Sequence, residues 1–439
     1  LPYHKRKEKA MKKKLKIAII GAGSTYTPEL IEGFINKQKE LLVSELVLMD
    51  IEDRKLEIVG GLSKRMIEYN NLPTKVVLTK DLDEALINAD FVLAQIRVGK
   101  IPARILDEKI PLKYDLIGQE TNGIGGFFKG LRTIPAIFAI TQKMEKLCPQ
   151  AWLINFSNPS GMIAEAVLNY TNIKCLGLCN VPINMIDSVK KRLNLNEANV
   201  EYVGLNHLSW ITKIEYQGID YLQKALNEGI NSEAMKNIPS SGFSSELIKT
   251  VGAIPSSYLE YYYFKDKKLE LAKAAEKSRG ETILEIEEQL LDIYSKSELH
   301  TKPDLLSKRG GARYSEVAIN LVNSIYNDLG DIQVVNTKNN GAISFMDDND
   351  VVEIACKINK DGAFPIKATF KNDHIKEYMQ MMKAYEKHAI HAALEGDVDE
   401  AMRALMINPL VFDYKKAYPC FMELLQVHSQ FLPQFKKVN

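Results

Sequence analysis

The feature that most constrains the fold is an alternation of short apolar runs with helical segments over the first 180 residues. Strands that alternate with helices along a chain form parallel sheets. The six predicted strands are residues 15–20, 45–50, 75–79, 90–96, 152–155 and 175–178. The sequence therefore predicts an α/β fold whose N-terminal part is a Rossmann-like, doubly wound parallel sheet.

The turn after the first predicted strand contains two glycines of the dinucleotide-binding pattern G-x-G-x-x-G. Gly21 and Gly23 match its first two glycines, whereas Tyr26 stands at the third. A helix that begins directly after such a turn presents backbone amides to a pyrophosphate, and Ser24 and Thr25 add hydroxyl donors. Many turns between a strand and a helix, however, need glycine for their backbone conformation alone.

The end of the second predicted strand supports the dinucleotide interpretation. Asp50 stands there, where a carboxylate can accept hydrogen bonds from the adenine ribose hydroxyls. This favours NAD over NADP because a carboxylate repels a 2′-phosphate, although Arg54 nearby could soften that preference. We therefore predict an NAD site made of Gly21, Gly23, Ser24, Thr25, Asp50 and Arg54.

The chain after residue 180 has mixed periodicity. It contains a strand-like segment, a long helical segment and two amphipathic helices near the C-terminus. These segments are residues 201–218, 269–294, 373–395 and 413–428. We predict an NAD-binding domain over residues 11–180 and an α+β domain for substrate binding and oligomerisation over residues 181–439, packed against the first. Residues 230–255, rich in Ser, Gly and Pro, are a predicted mobile loop.

Composition excludes several classes of protein. The 57 Lys and Arg residues nearly balance 56 Asp and Glu, and no concentrated basic face indicates nucleic-acid binding. No apolar stretch reaches the roughly 18 residues of a membrane span, and an odd number of scattered cysteines argues against a disulfide framework. We expect a cytoplasmic protein. Because Met11 resembles a natural start, residues 1–10 are expected to be an upstream or added tail.

Two further residues have the chemistry of metal ligands. Cys179 follows the sixth predicted strand in GLCNVP, and His207 follows 28 residues later in GLNHLSW. A thiolate and an imidazole can bind a divalent transition metal and leave positions open for substrate oxygens. From spacing alone, a buried free cysteine and a core histidine are the favoured alternative. The tyrosines of PSSYLEYYY are likewise typical packing residues.

The motifs together resemble those of glycoside hydrolase family 4, whose NAD- and metal-dependent members depart from the usual two-carboxylate scheme. The resemblance is strongest to the 6-phospho-β-glucosidases. It runs in order through GAGSTYTPE, IRVG, RILDEKIPLKY, GQET, NFSNPSG, CNVP, GLNHLSW, YLEYY, SRGE and NNGAI. It implies hydrolysis of 6-phospho-β-glucosides to glucose 6-phosphate and an aglycone, by transient NAD-mediated oxidation at C3, deprotonation at C2, elimination and addition of water.

The resemblance also implies a role for each matching residue. Cys179 and His207 become ligands of a divalent cation, usually manganese in the family, and Tyr258 becomes the catalytic base. Glu120 matches a position that raises the basicity of this tyrosine. The substrate-binding positions are Arg104, Asn158, Asn180 and Arg279. Either arginine could neutralise the sugar phosphate.

One departure bears on specificity. The α-specific members carry an acidic proton donor directly after the metal-binding cysteine, and Asn180 stands there in this chain. This favours the β branch and leaves the leaving-group acid unassigned. The alternatives are a 6-phospho-α-glucosidase, an α-galactosidase, an α-glucuronidase, an NAD-dependent hydroxy-acid dehydrogenase and a non-enzymatic NAD sensor. Expected partners are a phosphorylated disaccharide or aryl glucoside and, from family habit, a homodimer or homotetramer.

Overall fold

A single large mixed sheet organises residues 13–230, 242–310 and 313–435, which the computed structural model describes. In chain order its strands are β1 (Leu15–Ile20), β2 (Val43–Met49), β3 (Lys75–Thr79), β4 (Phe91–Ala94), β5 (Trp152–Asn155), β6 (Lys174–Gly177), β7 (Asn199–Leu205), β8 (Leu208–Tyr216), β9 (Ile219–Asp220), β10 (Ile254–Pro255), β11 (Asp331–Lys338), β12 (Val351–Asn359) and β13 (Gly362–Pro365). The spatial order of the main path is β10-β8-β7-β12-β11-β6-β5-β4-β1-β2-β3.

The first six strands form the predicted doubly wound parallel sheet. All five pairings from β6 through β1 to β3 are parallel. The strand order reverses between β1 and β4, and ligands of open α/β sheets bind in the crevice at such a reversal. Ile17, Ala18 and Ile19 in β1 have no exposed surface. Such apolar runs mark strands that are covered on both faces.

Helices of this half connect the strands. They are α1 (Thr27–Asn36), α2 (Asp53–Tyr69), α3 (Leu82–Leu86), α4 (Lys100–Lys109), α5 (Gly123–Leu147), α6 (Ser160–Tyr170) and α7 (Val181–Leu193). Pro28 lies in the first turn of α1, where its missing N–H costs no helical hydrogen bond. These helices begin at the carboxyl ends of the strands, and their first residues therefore lie near the crevice.

The second half of the chain extends the same sheet. β11 pairs antiparallel with β6 through Asn336 and Gly177, and β11, β12, β7, β8 and β10 follow as antiparallel neighbours. This pairing covers the otherwise open edge of β6. The α+β character is therefore confirmed. The strands of the second half are hydrogen-bonded into the parallel sheet as well as packed against it.

Further helices surround the antiparallel strands. They are α8 (Leu222–Asn227), α9 (Ser245–Val251), α10 (Glu260–Tyr263), α11 (Lys265–Ala274), α12 (Arg279–Tyr294), α13 (Leu306–Arg309), α14 (Tyr314–Asn327), α15 (Asp373–Glu395), α16 (Val398–Ile407) and α17 (Tyr414–Val427). The two helices predicted near residues 373–395 and 413–428 correspond to α15 and α17. A 3₁₀ turn, Ser257–Leu259, precedes α10.

The prediction of one long helix over residues 269–294 is wrong, because the chain breaks between α11 and α12. Ser278 accepts a hydrogen bond from the Glu281 amide, and the Glu281 carboxylate accepts one from the Ser278 amide. This reciprocal capping box starts a new helix at Arg279. The S-x-x-E pattern of SRGE carries that signal in the sequence.

The predicted loop over residues 230–255 is only partly described. Residues 231–241 lie outside the described residues, whereas the remainder includes α9 and β10. Among the helices in the described ranges, none is both long and apolar enough to cross a membrane.

Candidate active site

Loops at the carboxyl ends of the parallel strands bring the predicted site residues toward one edge of the sheet. Gly21 follows β1, Asp50 follows β2 and Cys179 follows β6. His207 comes from the other half, at the turn between β7 and β8, where its backbone is left-handed with φ +65°. The two halves of the sheet therefore both contribute to this edge.

The glycine turn leaves no room for side chains at its two key positions. Gly21 has φ +86°, and a Cβ atom there would lie 2.8 Å from the carbonyl oxygen of Gln95. The amide of Gly23 donates to Asp50 Oδ2 at 2.8 Å, and the amide of Glu52 donates to Oδ1 at 3.0 Å. Asp50 thus fixes the turn itself, and each carboxylate oxygen keeps a lone pair for a further donor.

The residues after the turn fit a bound dinucleotide unequally. Thr25 has a buried hydroxyl without a hydrogen-bond partner in the described structure, and Ser24 Oγ accepts from the Tyr26 amide at 3.3 Å. Arg54 instead pairs with Glu288 on the surface, where its side chain is 58% exposed. The glycine cradle and the orphaned Thr25 hydroxyl are suited to an NAD phosphate or ribose, whereas Arg54 is engaged elsewhere.

Tyr26, at the third glycine position, is a packing residue at the seam between the two halves. Its ring lies edge-on to Tyr314, with centroids 6.2 Å apart, and the Arg309 guanidinium lies 5.9 Å from its centroid. Tyr26 immediately precedes α1. The bulky side chain is thus accommodated by residues that come from the second half of the chain.

The imidazole of His207 and the phenol of Tyr258 are stacked. Their ring centroids lie 3.7 Å apart and their planes differ by 5°. The His207 Nδ1 atom lies 2.7 Å from the Thr121 hydroxyl, which leaves Nε2 for another ligand. Burial lowers the pKa of His207 to about 3, so this ring is neutral, as a metal ligand must be.

Cys179 is the second potential metal ligand. The amide of Val181 points at its sulfur from 3.4 Å, and the Tyr314 hydroxyl lies 4.0 Å away. Burial and the nearby Glu353 carboxylate raise the pKa of this thiol, so it needs a cation to ionise. The part of the chain that the structure describes holds no group of three or more His, Cys, Asp and Glu side chains suited to a metal. The donors present fit an open two-ligand site.

Glu120 lies at the centre of a group of cations, here called the Glu120 cluster. Arg97 and Lys129 contact its Oε1 at 2.5 and 2.7 Å, and Arg104 contacts its Oε2 at 2.7 Å. Burial alone would raise the pKa of Glu120, but Arg104, Arg97 and Lys129 outweigh it and hold the pKa well below its ordinary value. Glu120 is therefore a carboxylate at neutral pH.

Tyr258, which is stacked on His207, interacts electrostatically with Cys179 and with the Glu120 cluster. Burial raises its pKa most, the charges of Cys179 and Glu120 raise it further, and Arg104 opposes them. A phenol with a raised pKa becomes a base only if a cation is placed nearby, which a metal between Cys179 and His207 would supply. The Glu120 charge acts in the direction of higher basicity.

The predicted substrate-binding residues occupy different surroundings. Arg104 is buried and also donates to Glu108 at 2.7 Å. The buried Asn158 Oδ1 lacks a hydrogen-bond partner among the described residues, and Asn180 immediately precedes α7. Arg279 donates to the carbonyl oxygens of Lys308 and Arg309 at 3.2 and 3.0 Å, so part of its guanidinium anchors the chain before α14.

Comparison with known proteins identifies the family. The model "Family 4 glycosyl hydrolase" matches residues 16–195, and "Family 4 glycosyl hydrolase C-terminal domain" matches residues 202–411. The chain belongs to glycosyl hydrolase family 4. This family 4 chain is 45% identical to the Bacillus subtilis "Probable 6-phospho-beta-glucosidase" over 97% of its length and 99% of the relative. It is 41% identical to the Escherichia coli "6-phospho-beta-glucosidase", over 97% of this chain and 98% of the relative.

A solved structure gives the same family 4 fold. The 6-phospho-beta glucosidase of Thermotoga maritima, solved with manganese, NAD⁺ and glucose-6-phosphate, superposes with a TM-score of 0.87 at 33% identity. The match covers 95% of this chain and 99% of that one. The predicted family and fold class are therefore confirmed.

The structure also shows residues of this family 4 site that sequence reasoning did not assign. Thr121, Arg97 and Asn206 stand inside the motifs GQET, IRVG and GLNHLSW, so adjacency to a motif was an available signal. Lys129 and Glu353 lie outside every quoted motif. Their places follow from the packing of α5 and from the register of β12.

Proposed function

We propose that this family 4 enzyme hydrolyses 6-phospho-β-glucosides to glucose 6-phosphate and an aglycone. The observation that carries the proposal is the stacked His207–Tyr258 pair, electrostatically coupled to Cys179 and Glu120. The names of the relatives and the ligands of the Thermotoga maritima structure support it. A hydroxy-acid dehydrogenase or an NAD sensor would have no use for this arrangement.

The chain offers a place for each cofactor. Gly21, Gly23, Ser24, Thr25 and Asp50 would hold NAD, and Cys179 with His207 would hold a divalent cation, which we propose is Mn²⁺. When bound, NAD supplies reversible hydride transfer at C3 of the sugar, and the cation supplies a Lewis acid for the neighbouring oxygens.

Tyr258 is the proposed catalytic base, and it takes the proton from C2 of the bound sugar onto its phenolate oxygen. Glu120 stays ionised and favours transfer of that proton to Tyr258. Loss of the C2 proton drives departure of the aglycone from C1, and water then adds at C1. Proton transfer to a positioned side chain contributes about 10²- to 10⁴-fold to such steps.

The remaining predicted residues position the substrate in this proposal. Arg104 and Arg279 supply guanidinium groups for the phosphate, and the unpartnered Asn158 Oδ1 can accept from a sugar hydroxyl. Asn180 cannot donate a proton as a carboxylic acid, which favours β-glucosides over the α-linked substrates of other branches. Natural substrates would be phosphorylated disaccharides or aryl glucosides.

The domain boundaries and the oligomeric state complete the proposal. We place the NAD-binding domain at residues 11–180 and the catalytic C-terminal domain at residues 181–439, close to the division between the two matching family models. We also propose a homodimer or homotetramer, which light scattering of the purified chain would test.

A panel of 4-nitrophenyl glycosides tests the substrate. We expect release of nitrophenol from the 6-phospho-β-glucoside in the presence of NAD⁺ and Mn²⁺, and little from the α-anomer or from the unphosphorylated β-glucoside. Chelation should abolish this activity, and added Mn²⁺ should restore it. Preferred cleavage of an α-glycoside, or full turnover after exhaustive metal removal, would contradict the proposal.

Solvent exchange tests the chemical route. In D₂O the released glucose 6-phosphate should carry deuterium at C2, because Tyr258 exchanges its proton with solvent between elimination and addition. Mass spectrometry and NMR of the product would measure this incorporation. Hydrolysis without deuterium at C2 would exclude the elimination route while leaving the substrate assignment intact.

A further inference from the structure

Behind the metal-ligand pair lies a second buried carboxylate, Glu353 in β12. Its side chain has no exposed surface. Its Oε1 accepts from the side-chain amides of Asn206 and Asn336 at 3.0 and 3.1 Å, and its Oε2 accepts from the Tyr202 hydroxyl at 2.8 Å. We name this group, Glu353 with Tyr202, Asn206 and Asn336, the Glu353 cluster.

The donors around Glu353 are all neutral. Within the described ranges no lysine, arginine or histidine forms an ion pair with this carboxylate. An unpaired buried charge is costly, and buried charges in proteins are normally paired or serve a metal ion. The Glu353 cluster thus carries hydrogen bonds for a carboxylate but has no cation paired with it among the residues that the structure describes.

Asn206 connects this carboxylate to the proposed metal ligands. It immediately precedes His207 in the β7–β8 turn, and its side chain lowers the pKa of the nearby Cys179 thiol. Its Oδ1 accepts from the Ser160 amide at the start of α6, at 3.2 Å. The Asn206 side chain is therefore held between the Glu353 carboxylate and a helix N-terminus, close to both proposed metal ligands.

The net charge of the proposed metal site indicates which cation would pair with the Glu353 carboxylate. A divalent ion bound to the Cys179 thiolate and a neutral His207 leaves one positive charge, and the Glu353 carboxylate would balance it. We propose that Glu353 is the buried counter-charge for the divalent cation and, through Asn206, a positioning residue for both metal ligands. This inference rests on the metal site of the proposed function. Partners behind metal ligands typically contribute 10- to 100-fold to affinity.

Manganese binding to the full-length, metal-free protein tests the inference without reference to activity. Electron paramagnetic resonance of free Mn²⁺ gives the Kd at saturating NAD⁺. In Glu353→Gln the charge is lost, but the amide can still accept from Asn206 and Asn336 and donate to Tyr202. We expect Glu353→Gln to weaken Mn²⁺ binding by roughly 10- to 100-fold. Asn206→Ala, which keeps the charge but removes the link, should also weaken it by at least about tenfold.

A control variant separates the charge of Glu353 from general loosening of the core. Glu165→Gln alters another buried carboxylate, which is paired with Lys383 and is not a member of the Glu353 cluster. It should bind Mn²⁺ within about twofold of the wild type, well short of the effect expected behind a metal ligand. If it weakens binding as strongly as Glu353→Gln, the specific role of Glu353 is wrong.

The outcomes distinguish this inference from the proposed function. If the wild type binds Mn²⁺, Cys179→Ser does not, and both Glu353→Gln and Asn206→Ala bind like the wild type, the inference alone fails. If the wild type does not bind Mn²⁺, or Cys179→Ser binds equally well, the proposed metal site itself fails and the role of Glu353 fails with it.

Discussion

The Glu120 cluster and the Glu353 cluster stabilise a buried carboxylate with different kinds of donor. Glu120 keeps 14% of its side-chain surface exposed and contacts three cations, whereas the fully buried Glu353 contacts three neutral donors. The pKa of Glu120 is accordingly held well below its ordinary value, and burial raises that of Glu353. The Glu120 carboxylate has its counter-charges within the protein, and the Glu353 carboxylate would gain one from the bound metal.

This difference indicates that the two clusters affect Tyr258 in different ways. The Glu120 carboxylate is paired before any ligand arrives, because Arg97, Arg104 and Lys129 contact it within the protein. Burial raises the pKa of Glu353, and an ionised Glu353 raises the pKa of the Cys179 thiol, so a bound divalent ion would favour the ionised form of both groups. The two clusters thus act on the same phenol, one as a fixed electrostatic surface and the other through the metal.

The largest expected effect comes from the group on which both clusters act. Tyr258→Phe removes the phenolic oxygen and should lower kcat on the order of a thousandfold, while NAD⁺ and Mn²⁺ bind normally. Steady-state hydrolysis of the 6-phospho-β-glucoside, together with equilibrium binding of both cofactors, would measure this. Tyr261→Phe is the matched control, because it alters a buried tyrosine of the same segment. An unimpaired Tyr258→Phe enzyme would remove Tyr258 from the chemistry.

The next largest effect is a difference in stability between two variants, Glu120→Gln and Glu353→Gln, measured in protein free of metal and NAD. Glu120→Gln leaves the Arg97 and Lys129 side chains without the anion they contact and leaves Arg104 paired with Glu108 alone, so we expect a loss of about 3–5 kcal/mol in the free energy of unfolding. Glu353→Gln removes an uncompensated charge and keeps its hydrogen bonds, so its loss should stay below about 1 kcal/mol. Urea unfolding measures both values. Equal losses would show that the two clusters do not differ in charge compensation.

A smaller effect concerns acid stability of the metal-free protein. Burial lowers the pKa of His207 to about 3 in the fold, so between pH 6.5 and 3 the unfolded chain binds a proton that the folded chain does not. This depressed pKa contributes stability that is complete above pH 6.5 and is lost as the pH falls through that window. The slope is at most about 1.4 kcal/mol per pH unit.

His207→Gln is the comparison that isolates this term, because a glutamine does not titrate. The free energy of unfolding, measured by urea between pH 7 and 4, should fall less steeply for the variant than for the wild type. Bound Mn²⁺ should steepen the fall for the wild type, because binding the metal displaces the proton of the Cys179 thiol, which the unfolded chain keeps. Parallel pH profiles for the two metal-free proteins would show that His207 is not held neutral by burial.

Local features made most of the fold predictable, whereas the site required long-range pairing. The six parallel strands and the glycine turn follow from apolar runs and from the two residues, Gly21 and Gly23, that the turn geometry demands. Cys179, His207 and Tyr258 could be placed only through a family resemblance, because isolated residues of these types are usually packing residues. Glu353 had no sequence signal, since its partner Asn336 is fixed only by the register of β11 against β12.

The smallest expected effect concerns Arg54, whose ion-pair partner, Glu288, belongs to neither cluster. Arg54 is a predicted cofactor contact, and in the structure its side chain is 58% exposed and paired with Glu288. An exposed ion pair is worth about 0–1 kcal/mol, so Arg54→Ala should change NAD⁺ affinity by less than about fivefold. Asp50→Asn should weaken NAD⁺ binding more than that, because Asp50 fixes the glycine turn through the Gly23 amide. Isothermal titration of both variants with NAD⁺ compares them, and a larger loss for Arg54→Ala would return that arginine to the cofactor site.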